Sequence, residues 1–177
     1  DPNSEEGRAW DRHQPLSTRI DPALVDRWRS ARVWVDLPIA GAVEVVPDDV
    51  TKPEHFPREI DVIHLVTAWN PGAHPLSVAE NGTRHSALLN YLDHQGIDHW
   101  DAGGYSADRS WIELGLAVPD VEEALALEIG RHFGQLAIYR WTARDLAVLD
   151  CTDGAAIARY GWCARPCPER PEVIAAQ

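Results

Sequence analysis

Positive charge is scarce in this sequence. Sixteen Lys and Arg residues stand against 28 Asp and Glu residues, which gives a formal net charge of -12. A protein of this charge repels a phosphate backbone, so we expect no binding to duplex nucleic acid. No apolar run approaches the roughly 20 residues needed to cross a bilayer. We therefore expect no membrane partner and a soluble, cytoplasmic protein.

Residues that contain sulfur are also rare. Three cysteines are too few for a disulfide scaffold, which favours a reducing cytosol. Cys151, Cys163 and Cys167 lack the C-x-x-C spacing of common zinc sites, so we expect no metal. Free thiols are favoured, and a Cys163 to Cys167 disulfide or a structural metal site is the alternative. The absence of methionine indicates that residues were removed from the start, and it leaves a targeting segment before Asp1 open.

Three common catalytic motifs are missing. The sequence has no phosphate-binding G-x-x-x-x-G-K loop, no G-x-S-x-G elbow and no H-E-x-x-H pair. The sequence therefore lacks the usual signatures of nucleotide hydrolysis, lipase chemistry and zinc proteolysis. We expect no cofactor.

The densest run of chemically distinctive side chains is DVIHLVTAWNPGAHPLSVAENGTR, residues 61–84. Its apolar, β-branched first part predicts a buried strand over residues 62–68. The strand ends at Trp69, and the sequence Asn-Pro-Gly over residues 70–72 predicts a turn. A buried strand is thus predicted to deliver polar side chains to an exposed loop.

Two helices are predicted from capping signals. Ser77 with Glu80 forms a capping box for a helix that ends at Gly96, and Asp120 with Glu123 forms a second box. The period of 3.6 residues predicts that each helix packs one stripe against a sheet. The predicted stripe of the first helix consists of Val78, Gly82, His85, Leu89 and Leu92.

The order of elements from residue 61 onward is strand, helix, strand, strand, helix, strand and a further strand. It predicts an α+β fold with a ferredoxin-like split β-α-β core and both helices on one face of an antiparallel sheet. A short helix after Asp21 and a hairpin of residues 33–37 and 43–46 form an N-terminal extension. We predict a mobile arm over residues 1–20 and a single domain over residues 21–150, with its core at 61–150. A C-terminal extension is predicted over residues 151–177.

A polar pocket is the predicted functional site. On a strand, Trp111 and Glu113 share a face, and a carboxylate there needs a partner, for which Arg84 is the natural candidate. The capping box alone can explain Ser77 and Glu80, which leaves a purely structural role open for both. The predicted catalytic residues are Glu80, Arg84 and Glu113, and the predicted ligand-binding residues are Trp69, Asn70, Asn81, Trp111 and Gln135.

Four motifs in order resemble an uncharacterised bacterial family, the domain of unknown function thirty-two ninety-three. They are VTAWNP at 66–71, S-x-x-E-N-x-x-R at 77–84, D-x-S-W-x-E at 108–113 and FGQ-x-AI at 133–138. The resemblance implies that these positions recur together, and it implies no assigned activity. Family members often have an amide at the position of Leu136, so a contact through that amide is not expected here.

Two functions are open at this point. The first is binding of a small ligand, anionic or planar, with Arg84 as its charge partner, Trp69 as a stacking surface and Glu80 or Glu113 as a general base for any reaction. The alternative is a protein-interaction or regulatory module that uses an aromatic-rich sheet face. An enclosed pocket favours the first function, and a flat open face favours the second.

Overall fold

The computed structural model describes residues 20–167. The predicted mobile arm lies, apart from Ile20, outside this range, as do residues 168–177 of the predicted C-terminal extension. None of the helices within the range combines the length and the apolar character required to cross a membrane. The regular elements are α1 (Pro22–Ser30), β1 (Arg32–Leu37), β2 (Gly41–Asp48), β3 (Val62–Val66), α2 (Val78–Gln95), β4 (Trp100–Tyr105), β5 (Ile112–Pro119), α3 (Glu123–His132), β6 (Ala137–Thr142), β7 (Leu146–Asp150) and β8 (Ala156–Pro166), with short 3-10 helices at Pro53–His55 and Pro71–Ala73.

The eight strands form a closed antiparallel barrel in the order β1-β2-β8-β7-β6-β3-β5-β4, and β4 pairs with β1 to close it. The predicted α+β ferredoxin-like sheet is therefore wrong. The strands β6, β3, β5 and β4 are neighbours in that order, but neither β6 nor β4 is an edge of the sheet. β7 continues the sheet beyond β6, and β1 continues it beyond β4, so no four-stranded sheet exists.

Both segments that were predicted as extensions contribute walls of the barrel. The predicted hairpin is confirmed as β1 and β2, with Val35 paired to Val43, but it also pairs with β4 and β8. β8 lies within the predicted C-terminal extension and pairs with both β2 and β7. A single domain thus includes residues well beyond 150.

The barrel has two apolar layers. Its interior is filled by side chains from all parts of the barrel, including Val33, Leu65, Trp141 and Trp162. A second cluster lies outside the strands β3, β5, β6 and β7, where α2 and α3 cover them. Within β3 the side chains alternate between the two clusters, as the period of a strand requires. This alternation lets one short strand support both the interior and the helical layer.

The first predicted capping box is confirmed, and so is the C-terminal cap at Gly96. The buried face of α2 differs from the predicted stripe, because Asn81, Leu88 and Leu92 are its buried residues while Val78 and Gly82 are exposed. The polar Asn81 is drawn inward by bonds to the turn after β3. Hydropathy alone therefore predicts the wrong face at the start of this helix.

The second predicted capping box is wrong. α3 begins at Glu123, with Glu122 as its N-cap residue and no side-chain cap. Asp120 instead accepts hydrogen bonds at Oδ1 from the backbone N–H groups of Asp61 and Val62, at 2.8 Å and 3.1 Å. Its carboxylate fixes the start of β3 and leaves the first turn of α3 without a cap.

Candidate functional site

A pair of amide side chains holds the turn that follows β3. Asn70 adopts a left-handed backbone conformation with φ 46°, which asparagine tolerates better than most residues. Its backbone N–H donates to Asn81 Oδ1 over 2.9 Å, and Asn81 Nδ2 donates to Asn70 Oδ1 over 2.9 Å. Asn81 is 2% exposed, so these bonds satisfy polar groups that burial would otherwise leave unpaired.

Arg84 and Gln135 bind the backbone around the same turn. Arg84 Nε donates to the Ala68 carbonyl over 2.6 Å, and its Nη2 donates to the Phe133 carbonyl over 2.5 Å. Gln135 Nε2 donates to the Trp69 carbonyl over 2.9 Å. These bonds join the segment after β3 to α2 and to the end of α3, and they fix the position of Asn70.

Glu113 lies near the start of β5 and accepts a hydrogen bond from that turn. Asn70 Nδ2 donates to Glu113 Oε1 over 2.7 Å. Burial raises the pKa of Glu113 to about 7, although hydrogen bonds from Asn70 and Trp111 and the charge of Arg27 act in the opposite direction. The carboxyl group therefore changes its protonation state near neutral pH.

Arg84 is not the partner of Glu113, so that part of the prediction is wrong. Its guanidinium donates to two backbone carbonyls, and the neutral amide of Asn70 meets the carboxyl group instead. A nearby guanidinium would favour the charged carboxylate and lower its pKa. Because the partner is neutral, burial decides the pKa of Glu113.

Two adjoining hollows open around Glu113. The inner one has a volume of about 70 Å³ and extends into the barrel between Val33, Leu65 and Tyr139. The outer one has a volume of about 110 Å³ and lies between α1 and the turn after β3. Four residues line both hollows: Trp28, Trp111, Glu113 and Gln135.

The helix α1, which has no predicted role in the site, contributes to both hollows. The Trp28 carbonyl accepts hydrogen bonds from Tyr139 Oη at 2.9 Å and from Tyr160 Oη at 3.4 Å. Trp28 lines both hollows, and Arg27 lines the outer one. The only signal in the sequence is an aromatic residue between two arginines on a short, well-capped helix, and nothing in that pattern points to Glu113.

The structure brings together half of the predicted site. Asn81 and Arg84 contact the turn rather than the hollows, and they act on the site by positioning Asn70. Trp69 is 4% exposed and lines neither hollow, so its ring offers no stacking surface there. The predicted residues that line the outer hollow are Asn70, Trp111, Glu113 and Gln135.

Glu80, the other predicted base, is exposed at the start of α2. Its Oε2 accepts hydrogen bonds from the Ser77 hydroxyl at 2.6 Å and from the Ser77 backbone N–H at 3.0 Å. These bonds lower the pKa of Glu80, which makes it a weaker base than Glu113. Its catalytic role stays a prediction.

Cysteine and metal chemistry are separate from this site. Cys163 carries a free thiol, so the Cys163 to Cys167 disulfide is not formed, and the thiol of Cys151 is free and buried. Within residues 20–167, no group of three or more His, Cys, Asp or Glu side chains is arranged to hold a metal ion. The chemistry that these residues can supply around Glu113 is hydrogen bonding, aromatic contact and proton transfer.

Comparison with curated proteins and with solved structures gives no match. Comparison with family models does give one, and it spans the turn after β3, the helix α2, Glu113 and the end of α3. The family resemblance predicted from the sequence is thereby confirmed: residues 66–138 match the model of the family described as "Protein of unknown function (DUF3293)".

Proposed function

We propose that the protein binds a small planar molecule with an anionic group at the mouth of the barrel, and that Glu113 exchanges a proton with it. One observation carries this proposal. The Glu113 carboxyl group lines two adjoining hollows, and its hydrogen-bond donors within residues 20–167 are the neutral side chains of Asn70 and Trp111. A partly buried carboxyl group with a pKa of about 7 can act as a base or as an acid at physiological pH.

The lining of the hollows supports the planar and anionic character of the ligand. Trp28 and Trp111 line both hollows, so a flat ring has aromatic surfaces to pack against. Arg27 supplies a guanidinium to the outer hollow, where it can pair with a carboxylate. The inner hollow is lined largely by glycine and apolar side chains, which suits the apolar edge of a ring.

The described residues give less support to the alternative, a protein-interaction or regulatory module that uses an aromatic-rich sheet face. Of the seven tryptophans within residues 20–167, four are buried: Trp34, Trp69, Trp141 and Trp162. The large apolar side chains exposed within residues 20–167 are three scattered aliphatic ones: Ile39, Val50 and Val78. They form no aromatic-rich surface. We also propose a cytoplasmic location, with which the free thiols of Cys151 and Cys163 are compatible.

The proposal is tested with three probe molecules of similar size. Benzoate is planar and anionic, benzamide is planar and neutral, and cyclohexanecarboxylate is anionic but not planar. In ¹H–¹⁵N spectra, benzoate should shift the indole N–H signals of Trp28 and Trp111 at lower concentration than the other two. Its affinity should fall as pH rises through about 7, because ionised Glu113 repels the carboxylate.

Two variants decide the role of the carboxyl group. Glu113→Gln should bind benzoate with an affinity that does not change over this pH range, while Glu59→Gln, on an exposed loop, should behave as the wild type. The proposal is wrong if all three probes leave the tryptophan signals unchanged. It is also wrong if Glu113→Gln keeps the wild-type pH dependence of binding.

A further inference from the structure

A buried histidine with unused hydrogen-bonding groups lies on the outer face of the barrel. His64 on β3 is 1% exposed, and neither ring nitrogen has a hydrogen-bond partner among residues 20–167. Burial lowers the pKa of His64 to about 4, so the ring is neutral at physiological pH. A neutral imidazole carries one N–H donor and one acceptor, and both are left unsatisfied.

Arg140 lies opposite His64 on the neighbouring strand β6. Its Nη1 donates to Glu123 Oε2 over 2.8 Å, and its Nη2 lies 3.6 Å from Asp145 Oδ2. The Nε–H group is buried and has no partner in the described part of the chain. Two residues that lie opposite each other on adjacent strands therefore hold three buried nitrogens without hydrogen-bond partners within the described range. This is unusual because buried polar groups normally form hydrogen bonds.

The start of α3 adds further free donors. This helix has ten residues and no side-chain cap. Leu125 and Ala126 donate to the Glu122 carbonyl, whereas the N–H groups of Glu123 and Ala124 donate no hydrogen bond within residues 20–167. Free N–H groups at the start of a helix favour a negatively charged oxygen.

His64, Arg140 and Glu123 line one open cleft of about 950 Å³ that carries charges of both signs. Its lining includes three guanidinium groups and five carboxylates. Arg140 and Arg159 pair with Glu123 and Asp145, and Asp120 binds backbone N–H groups. The exposed carboxylates of Asp61 and Glu122 form no ion pair within the described range. Unpaired donors thus lie at the base of the cleft and unpaired carboxylates at its rim.

We propose that this cleft binds a small zwitterion that carries one carboxylate and one ammonium group, as an amino acid does. The ligand carboxylate accepts hydrogen bonds from the His64 ring, Arg140 Nε and the first N–H groups of α3. Asp61 and Glu122 receive the ammonium group. The Glu123 side chain is 39% exposed, so it can turn outward and leave the Arg140 guanidinium free to bind the ligand. A dianion is disfavoured, because five carboxylates surround the site.

The cleft is independent of the site at Glu113. In the β3–β5 pairing, Ile63 lies opposite Pro119 and Val66 lies opposite Leu116. The cleft includes Asp61 and Asp120 at one end of these strands, whereas Glu113 lies towards the other end of β5. Failure of one proposal therefore leaves the other untouched.

The test is calorimetric titration of the full chain with the twenty standard amino acids, each added singly, and with acetate and methylammonium chloride. We expect at least one amino acid to bind, and to bind at least tenfold more tightly than acetate or methylammonium. Long-range ¹H–¹⁵N spectra should show a shift of the His64 ring nitrogens when that amino acid is added. The proposal fails if no amino acid binds, or if acetate binds equally well and the site is one for simple anions.

His64→Leu provides the second measurement. It removes two unpaired buried nitrogens, so the ligand-free variant should melt at a higher temperature than the wild type. It should also bind the amino acid at least tenfold more weakly, because one donor to the carboxylate is lost. His94→Leu, at an exposed position near the end of α2, is the control and should leave binding unchanged. Unchanged affinity in His64→Leu would overturn the proposal.

Discussion

Asn70 Nδ2 lies 2.7 Å from Glu113 Oε1, and this bond joins the turn after β3 to the carboxyl group at the barrel mouth. The amide that meets the carboxyl group is itself fixed by Asn81 and by the backbone N–H of Leu76. The turn therefore presents one oriented, neutral donor to Glu113. This arrangement keeps the carboxyl group in place without the charge that would hold it ionised.

The first prediction concerns the effect of pH on stability. Burial raises the pKa of Glu113 from its ordinary value of 4.5 to about 7, so the folded protein holds this proton more tightly than the unfolded chain. The free energy of unfolding should therefore fall as pH rises from 4.5 to about 7. Glu113→Gln cannot ionise, and at pH 8 we expect it to exceed the wild type by about 2 to 3 kcal/mol.

Urea unfolding at pH 5 and at pH 8 measures this difference. Other titrating groups contribute to both proteins, so the informative quantity is the difference between variant and wild type. Glu59→Gln, at an exposed position, should show the wild-type dependence on pH. Parallel profiles for Glu113→Gln and the wild type would mean that Glu113 is not held in a raised-pKa environment.

The second prediction concerns the amide pair. Asn81→Ala removes three hydrogen bonds, two to Asn70 and one to the Leu76 carbonyl, and leaves buried polar groups unpaired. We expect a loss of about 2 to 4 kcal/mol in the free energy of unfolding. Asn90→Ala, at an exposed position on the same helix, should change it by less than about 0.5 kcal/mol. Equal effects in denaturant unfolding would show that the pair does not stabilise the fold.

The third prediction separates two roles for Arg84. The structure commits its guanidinium to the carbonyls of Ala68 and Phe133, which lie on different elements. A lysine has no planar fork to reach both, so Arg84→Lys should lower the free energy of unfolding by about 1 to 3 kcal/mol. A charge partner for a ligand would need only the positive charge. Wild-type stability in Arg84→Lys, measured by urea unfolding, would show that the two bonds to backbone carbonyls do not stabilise the fold.

Local features of the fold could be predicted from the sequence because their signals are local. The capping box of Ser77 and Glu80, the glycine at 96 and the β1–β2 hairpin depend on residues within a few positions of one another, and all three are confirmed. Barrel closure depends on pairing between β1 and β4 and between β2 and β8. These strands are distant in the chain, and no pattern within a strand specifies its partner.

The site shows the same division. The sequence predicts Asn70 and Glu113 in one pocket, because each is a polar residue beside the end or the start of a largely apolar strand, but it predicts Arg84 as the partner of the carboxylate. The target of Arg84 could not be predicted, because backbone carbonyls carry no signature in a sequence. The contribution of Trp28 to the site could not be predicted for a similar reason. The backbone carbonyl of Trp28 accepts hydrogen bonds from two tyrosine hydroxyls, on β6 and β8, and these distant residues help to place α1 over the hollow.

The last prediction concerns α1, which has no buried residues and is held to the barrel partly through the Trp28 carbonyl. Tyr139→Phe removes the shorter of its two hydrogen bonds, at 2.9 Å. A bond of this kind contributes about 1 kcal/mol, so hydrogen-exchange protection of the α1 amides should fall about fivefold. Adding Tyr160→Phe should lower it further, while amides of the β6 strand keep theirs.

Tyr91→Phe is the matched control, because the Tyr91 ring lies on α2 and stacks on His132 of α3, away from the bonds that hold α1. It should leave the exchange of α1 amides unchanged. If the double variant Tyr139→Phe/Tyr160→Phe also leaves α1 fully protected, the hydroxyls do not hold the helix. If protection falls as expected, benzoate should also dissociate faster from the double variant, because α1 lines the outer hollow through Arg27 and Trp28.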